Sequence, residues 1–171
     1  MRQLYKSFKD RDLRDIRLSI FMQDWDDPYN VGGMFRVADA LGVKELFASG
    51  KTPLPPHPQI HVTSMGHHRR IEVHSFEKHE EAALAAKARG YSLVALELAE
   101  GAVCYTDYEW PDAVCLVLGS ETGGTYGSVM KHRDGAVYVP QFGKGRSMNV
   151  HVTAAVVGFH IRLVGAVKPP A

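Results

Sequence analysis

Short apolar runs rich in β-branched residues alternate along the chain with longer segments whose apolar positions recur at helical spacing. Strands are predicted at Leu18–Met22, Glu45–Ala48, Ile71–His74, Ser92–Leu96, Ala113–Leu118 and Ala136–Val139. Helices are predicted at Val31–Leu41, Lys78–Arg89 and Met148–Val164. This alternation is typical of a parallel sheet with helices on both faces, so the predicted fold class is α/β.

The chain has the length of one ordinary domain, with 171 residues and no internal repeat or low-complexity tract. The Pro-rich segment from Lys51 to Gln59 is the only long irregular loop that the pattern predicts. We therefore predict a single domain over residues 1–171, in which residues 1–17 form a basic N-terminal leader.

The composition is that of an ordinary globular protein, with 45% hydrophobic and 23% charged residues and no apolar run long enough to span a bilayer. The first residues are charged throughout and lack the apolar stretch of a secretory signal, which predicts a cytoplasmic protein. Cys104 and Cys115 both lie beside apolar runs, where buried reduced thiols are expected.

The formal net charge is only +1, so any contact with a nucleic acid must come from local clusters of basic residues. Taken singly, each cluster is more often a solvated surface than a binding site. The clusters comprise Lys6, Lys9, Arg11, Arg14 and Arg17 near the start, His67 to Arg70, Lys131 to Arg133, and Lys144 with Arg146.

Polar and glycine-rich stretches follow three of the predicted strands: Leu96 to Gly101, Gly119 to Gly124 and Pro140 to Asn149. Ligands of parallel sheets bind beyond the carboxyl ends of the strands, so we expect these stretches to converge on one side. The glycines match neither G-x-G-x-x-G nor G-x-x-x-x-G-K-[S/T], which argues against nucleotide hydrolysis. The nine histidines show no convincing ligand spacing, so no metal site is predicted, and surface or hydrogen-bonded core histidines are expected.

Three motifs combine an amide or hydroxyl with glycine and charge. In the first, Asn30 is suited to cap a helix, the following glycines allow close approach of another group, and Arg36 projects less than two turns later. In the second, Glu121 follows an apolar strand, where a buried acid would require a partner such as Arg36. In the third, Ser147 and Asn149 open the last helix, which Ser147 could simply cap. Each motif alone also fits a capped helix or a surface charge.

Taken together, the motifs resemble those of the SpoU/TrmH group of the SPOUT superfamily of RNA methyltransferases. The resemblance rests on N-V-G-G-M-F-R at 30–36, L-G-S-E-T-G-G at 118–124 and V-P-Q-F-G-K-G-R-S-M-N-V at 139–150. It extends over nearly the whole chain. Where relatives often carry Asn, Met and Leu, this chain has Ser120, Gln141 and Met148.

The resemblance implies a parallel α/β fold whose C-terminal segment is threaded through a loop in a trefoil knot, although a knot is exceptional among protein topologies. It also implies that S-adenosylmethionine lies bent in the knot and that the protein works as a homodimer with its site near the subunit interface. The residues then expected around the cofactor are Leu96, Glu97, Leu98, Gly119, Glu121, Val139, Gln141, Gly143, Ser147 and Met148.

The activity implied by the resemblance is methyl transfer to a ribose 2′-hydroxyl, with Arg36 as the central catalytic residue. A guanidinium stays protonated near neutral pH and cannot readily accept a proton, so we expect Arg36 to stabilise the developing oxyanion while an RNA phosphate or water accepts the proton. Asn30 and Glu121 are expected to hold Arg36, and Ser147 and Asn149 to orient the ribose.

The expected RNA-binding residues are Arg11, Arg14, Arg69, Arg70, Lys144 and Arg146, with transfer RNA favoured over ribosomal RNA as the substrate. One alternative is a base-nitrogen methyltransferase of the same superfamily, which would need a different polar set near the methyl group. The other is a non-catalytic protein that binds RNA or assists ribosome assembly. The presence of all five predicted catalytic residues argues against this second alternative.

Overall fold

The computed structural model describes residues 15–145 and 147–164. Its centre is one sheet of seven strands in the order β3-β2-β1-β6-β4-β7-β5. All neighbouring strands pair in parallel. The strands are β1 (Arg17–Gln23), β2 (Glu45–Ser49), β3 (Glu72–Phe76), β4 (Ser92–Leu96), β5 (Val103–Cys104), β6 (Ala113–Leu118) and β7 (Gly135–Tyr138).

Helices cover both faces of this sheet. They are α1 (Pro28–Ala40), α2 (Pro58–Ser64), α3 (His79–Ala88), α4 (Gly127–Met130) and α5 (Val150–Val164), with one 3₁₀ helix at His67–Arg70. One core joins α1, α2 and α5 to the sheet, and the other joins α3 and α4 to the opposite face. The strands buried between these layers read as continuous apolar runs, as in β6, where five consecutive residues are buried.

The predicted α/β class is confirmed, and six of the seven strands lie where the apolar pattern placed them. The bounds of β4 and β6 agree with the prediction residue for residue. The pattern missed β5 because a strand of two residues has no periodicity. It also missed α2, which begins at Pro58 inside the predicted loop, because proline fits the first position of a helix.

Helix α1 is held between α2 on one side and α5 on the other, and each contact uses a glycine. A side chain at Gly32 would collide with Thr63 of α2, and one at Gly33 would meet the His151 ring of α5 at 2.9 Å. The predicted close approach at these glycines is therefore made by two neighbouring helices. This packing fixes both faces of the helix that carries Asn30 and Arg36.

Both cysteines are free thiols. Cys115 is completely buried in β6, where burial raises the pKa of its thiol, whereas Cys104 is only partly buried. Among the residues described, no helix has the length and apolar character needed to cross a membrane.

We predict that Gly32→Ala destabilises the fold. Alanine in a helix is favoured over glycine by ~0.5–1 kcal/mol, so without the contact to Thr63 the substitution would stabilise the protein. Because the added methyl group collides with α2, we expect a net loss of ~1–3 kcal/mol in the free energy of unfolding measured in urea.

Gly127→Ala is the matched control, since a side chain at this helical glycine would meet no atom within 4 Å. It should change the free energy of unfolding by less than ~0.5 kcal/mol. Equal stability of Gly32→Ala and the wild-type protein would contradict this account of the helix packing.

Candidate active site

A cavity of about 450 Å³ opens at the carboxyl ends of β4, β6 and β7. Its walls come from the three stretches that sequence analysis expected to converge, together with the starts of α1 and α5. The lining residues are Asn30, Leu96, Glu97, Leu98, Leu118, Gly119, Ser120, Glu121, Gly124, Tyr138, Val139, Gln141, Ser147, Met148, Asn149, Val150 and Thr153. The cavity therefore gathers residues from four separate parts of the chain.

A chain of hydrogen bonds joins three of these parts at the edge of the cavity. The Asn30 side-chain amide donates to Glu121 Oε1 at 3.0 Å, and the Asn149 amide donates to Asn30 Oδ1 at 2.7 Å. Glu121 Oε2 also accepts from the backbone N–H of Asp26 at 3.2 Å. Each of the three motifs found in the sequence contributes one member of this relay.

The carboxylate at one end sets the direction of the relay. An ionised carboxylate only accepts hydrogen bonds, so Asn30 must turn its NH₂ group toward Glu121 and its oxygen toward Asn149. Asn149 must then donate to Asn30, and its oxygen accepts from the backbone N–H of His151 at 3.2 Å. This leaves the second N–H of Asn149 available to a ligand, and Asn149 is exposed.

The loop after β6 is closed by its own backbone. Ser120 and Gly124 exchange two backbone hydrogen bonds of 3.1 Å, and the Ser120 hydroxyl accepts from Gly123 N–H at 2.9 Å. A side chain at Gly119 would collide with the backbone of Gly124, whose φ is +63°. Glycine is therefore required at both ends of this loop, where the backbone approaches itself or adopts a left-handed conformation.

Side chains from neighbouring strands hold the loop from both sides. Gln23 donates to the Gly124 carbonyl at 3.2 Å and accepts from Tyr126 N–H at 2.9 Å. Glu97 accepts from Thr125 N–H at 3.1 Å with one oxygen and from Leu98 N–H at 3.2 Å with the other. The loop is thus tied to the ends of β1 and β4 by side chains of the protein itself.

The cavity combines an apolar wall with two carboxylates. Leu96, Leu98, Leu118, Val139 and Met148 supply the apolar surface, while Glu97 and Glu121 are the charged residues of the lining. Such a lining suits a ligand that has an apolar body and carries positive charge or hydroxyl groups.

His151 packs against Gly33 next to this site. Burial lowers the pKa of its imidazole, an effect that Asp27 partly offsets, and its buried Nδ1 has no hydrogen-bond partner in the part of the chain described. His57 and His160 likewise each have a buried ring nitrogen without such a partner. No group of three or more His, Cys, Asp or Glu side chains among the described residues is arranged to hold a metal ion.

Most residues predicted for the site lie around the cavity. They include nine of the ten residues expected near the cofactor, namely Leu96, Glu97, Leu98, Gly119, Glu121, Val139, Gln141, Ser147 and Met148. Of the five predicted catalytic residues, Asn30, Glu121, Ser147 and Asn149 line it as well. Gly143 does not, because it lies in an exposed part of the loop after β7, where a side chain would meet no atom within 4 Å.

Arg36 lies outside the cavity, and the expectation that Asn30 and Glu121 hold it was wrong. It follows Asn30 by six helical residues, so its side chain leaves α1 about 120° around the axis from that of Asn30. Asn30 and Glu121 instead bond to each other, and the Arg36 side chain is exposed. Among residues 15–145 and 147–164, no hydrogen bond or ion pair involves its guanidinium.

The cap of α5 also differs from the alternative considered for Ser147. Asn149 directly precedes the helix, and its side-chain oxygen accepts from the N–H of the second helical residue, which is the pattern of an N-cap. Ser147 lies two residues earlier, on the cavity wall, and is exposed.

The predicted RNA-binding residues are only partly described. Arg69 and Arg70 are exposed on the 3₁₀ helix, where Arg70 lies 3.4 Å from Asp39 of α1, and Lys144 is exposed in the loop after β7. Arg11, Arg14 and Arg146 lie outside the described residues.

Sequence reasoning missed six lining residues: Leu118, Ser120, Gly124, Tyr138, Val150 and Thr153. The first three belong to the second motif, so its closed loop could have been recognised from the paired glycines. Tyr138 ends β7, and Val150 and Thr153 form one face of the first turn of α5, which only the position of that helix reveals.

The protein is an α/β protein whose parallel sheet has a cavity at its strand ends, which is where proteins of this architecture bind their ligands. Residues 17–159 match the model of the SpoU rRNA Methylase family. Because this match covers most of the chain, the protein belongs to the SpoU rRNA methylase family, which confirms the family that the three motifs predicted.

Individual relatives agree with this assignment. The tRNA (guanosine(18)-2′-O)-methyltransferase of Thermus thermophilus is 29% identical over 142 residues, covering 83% of this chain and 72% of the relative. The 23S rRNA (guanosine(2553)-2′-O)-methyltransferase RlmP of Bacillus subtilis is 28% identical, covering 80% and 54%.

The AdoMet-bound rRNA methyltransferase of Sinorhizobium meliloti has the same fold, with a TM-score of 0.80 and 24% identity, over 86% of this chain and 56% of that one. The chain thus spans only part of the length of all three proteins.

We predict that Asn30→Asp makes the stability of the protein depend on pH. The substitution places a second carboxylate about 3 Å from Glu121, and two carboxylates sharing a site raise the pKa of one of them. Above that raised pKa both carboxylates are ionised and repel each other, whereas below it the two groups share one proton. Relative to the wild-type protein, we expect a deficit of ~1–3 kcal/mol in urea unfolding at pH 8 that shrinks at pH 5.

Asn30→Ala is the control, because it removes the same hydrogen bonds without adding a charge. Its deficit relative to the wild-type protein should be similar at both pH values. A deficit of Asn30→Asp that does not change with pH would contradict the contact between Asn30 and Glu121.

Proposed function

We propose that this protein transfers a methyl group from S-adenosylmethionine to a ribose 2′-hydroxyl of RNA. The observation that carries the proposal is the relay from Glu121 through Asn30 to Asn149, which joins the three family motifs at the cavity edge. Membership of the SpoU family supports methyl transfer, and the similar proteins named above are 2′-O-methyltransferases of tRNA and of 23S rRNA.

The residues of the cavity fit this cofactor. A volume of about 450 Å³ falls in the usual range for small-molecule sites, and the apolar wall suits an adenine ring and the aliphatic part of a methionine chain. Glu97 and Glu121 add negative charge that favours a cationic ligand and accepts hydrogen bonds from its hydroxyl or amino groups. When bound, S-adenosylmethionine supplies a methyl group whose carbon is electrophilic, because it is attached to a positively charged sulfur.

The chain must then position the ribose oxygen, since in-line attack needs an approach of roughly 3–3.5 Å. Ser147 and Asn149 line the cavity, and the relay leaves an N–H of Asn149 to donate to the ribose or its phosphate. Glu121 and Asn30 fix the orientation of that amide and so act as positioning residues. A phosphate of the RNA or a water molecule accepts the proton of the hydroxyl.

Arg36 stabilises negative charge on the attacking oxygen, and a second copy of the chain completes its surroundings. The support is an exposed apolar stripe along one side of α5, formed by Val152, Val156, Phe159 and Leu163, which are 37–45% exposed. Their spacing of four, three and four residues places them on a single helix face. A dimer that buries this stripe removes four apolar side chains from water.

Arg36 lies on α1, the helix that packs against α5. Helices α1 and α5 run side by side, because His151 meets α1 at Gly33 and Gly158 meets it again at Leu41. Arg36 follows Gly33 by three residues and therefore projects close to the side of α1 that α5 covers. A second copy docked on the stripe would shield the guanidinium from water. In this less polar environment its charge acts more strongly on a developing oxyanion.

The predicted trefoil knot belongs to the same proposal. After β7 near one edge of the sheet, the chain returns to α5, which packs on α1 over the middle of the sheet. The returning segment and the loop after β6 line one cavity. We infer that the segment passes through that loop to form the knot.

For the RNA surface we propose Arg69, Arg70 and Lys144, all exposed, together with Arg11, Arg14 and Arg146. The 3₁₀ helix packs on α1, where His67 contacts Asp39 at 2.8 Å, so its arginines lie on the same side of the sheet as Arg36. Transfer RNA is the favoured substrate.

We predict that Arg36→Ala lowers the rate of methyl transfer to tRNA by ~10²–10³-fold, because a group that stabilises transition-state charge is lost. The Kd for S-adenosylmethionine, measured by calorimetry, should stay within about twofold, since Arg36 does not line the cavity. Arg133→Ala is the control, as it removes another exposed arginine, whose side chain donates to the Met130 carbonyl of its own helix end. Full activity of Arg36→Ala would remove Arg36 from the mechanism.

We also predict that Val156→Asp combined with Phe159→Asp converts the protein from a dimer to a monomer. A charged residue cannot be buried in an apolar interface without a large desolvation cost. Light scattering after size exclusion measures the mass, and methyl transfer should fall with dimer content. Leu84→Asp is the control, since Leu84 is 47% exposed on α3, away from the stripe. A wild-type monomer, or a double variant that stays dimeric, would contradict the proposed interface.

A further inference from the structure

Phe142 is the most exposed of the large hydrophobic residues described. Its side chain is 98% exposed, and it lies in the loop after β7, whose residues 141–145 are all exposed. A phenylalanine fully in water gains nothing for the stability of the monomer. Such a residue at the rim of a cavity instead indicates a surface that meets a ligand.

The rim has a second exposed apolar residue in the neighbouring loop. Strands β4 and β7 are paired, and Glu97 N–H donates to the Val137 carbonyl at 3.0 Å as the two strands end. Leu98 follows Glu97, lines the cavity and is 72% exposed, while Phe142 follows the lining residue Gln141. Two apolar side chains thus extend into water from adjacent loops at one edge of the cavity.

This pair lies on different elements from the proposed dimer surface. The exposed apolar stripe of α5 is continuous and helical, whereas Phe142 and Leu98 lie on loops that follow strands. The Phe142 loop also has open space around it, since side chains at Gly143 and Gly145 would meet no atom within 4 Å. Lys144, two residues after Phe142, adds an exposed positive charge.

We propose that Phe142 and Leu98 form a nucleobase subsite, where the base of the target nucleotide, or of its neighbour, stacks on the Phe142 ring. The inference rests on the proposed function. A ribose hydroxyl reaches a cavity behind this rim only when its nucleotide leaves the RNA stack, and unstacked bases are commonly received by aromatic side chains. The exposed Lys144 can meet an adjacent phosphate. The substrate is then a nucleotide in a single-stranded loop, with Phe142 as a positioning residue.

The first test is kinetic and uses the full chain with tRNA isolated from cells that lack the protein. Removal of a stacking ring weakens nucleic-acid binding by about 5- to 150-fold, so Phe142→Ala should raise the KM for tRNA by that factor. The kcat and the Kd for S-adenosylmethionine should change by less than about threefold. Phe142→Leu should behave like Phe142→Ala, while Phe142→Trp should keep the wild-type KM because it keeps an aromatic face.

Leu84→Ala is the matched control, because it truncates an exposed apolar residue on α3 and should leave the KM unchanged. A tRNA KM that Phe142→Ala leaves unchanged would overturn the proposal. A raised Kd for S-adenosylmethionine would assign the ring to the cofactor instead. A monomeric Phe142→Ala protein would assign it to the dimer interface.

The second test does not depend on catalysis. Tryptophan fluorescence of Phe142→Trp is titrated with a short single-stranded RNA and with an abasic RNA of the same length and charge, and the wild-type protein supplies the baseline from the buried Trp25 and Trp110. Stacking predicts quenching by the first RNA and little by the second. Equal quenching, or none, would overturn the subsite. Absence of methyl transfer by the wild-type protein would instead refute the proposed function, so the two failures are distinguishable.

Discussion

The arrangement of the site depends on the hydrogen bonds that connect Glu121, Asn30 and Asn149. These residues belong to the loop after β6, the start of α1 and the start of α5, which are far apart in sequence. Only the carboxylate has a fixed role as acceptor, and it therefore sets the orientation of both amides. The same Asn149 oxygen caps α5, so the relay also determines where that helix begins.

The packing around the relay keeps it in place. Helix α1 cannot shift far, because Gly32 and Gly33 allow α2 and α5 to contact it on two sides. The loop that carries Glu121 is closed between Ser120 and Gly124 and tied to Gln23 and Glu97. The base of the cavity is thus held by the protein's own hydrogen bonds, whereas the rim around Phe142 is exposed. A fixed base with an exposed rim suits an enzyme that holds a small cofactor tightly and receives a large substrate from outside.

The sheet and most of the residues that line the cavity were predicted from the sequence, because both depend on local patterns. An apolar run such as Ala113–Leu118 predicts a strand whatever its place in the order of the sheet. Strand-end residues such as Glu97 and Glu121 meet because parallel strands end on one side. The surroundings of Arg36 were predicted wrongly because Asn30 and Arg36 lie on different faces of the same helix. Counting six residues at 3.6 per turn separates Arg36 from Asn30. The contact of His151 with Gly33 could not be predicted, because it depends on where α5 packs.

The proposed site methylates the ribose and not the base of an RNA nucleotide. The direct measurement incubates the protein with tRNA and S-adenosylmethionine carrying a deuterated methyl group, and then analyses the released nucleosides by mass spectrometry. Fragmentation separates the ribose from the base and locates the label. We expect a deuterated methyl group on the ribose. A label on the base would contradict it, as would the absence of label in every tRNA and ribosomal RNA tested.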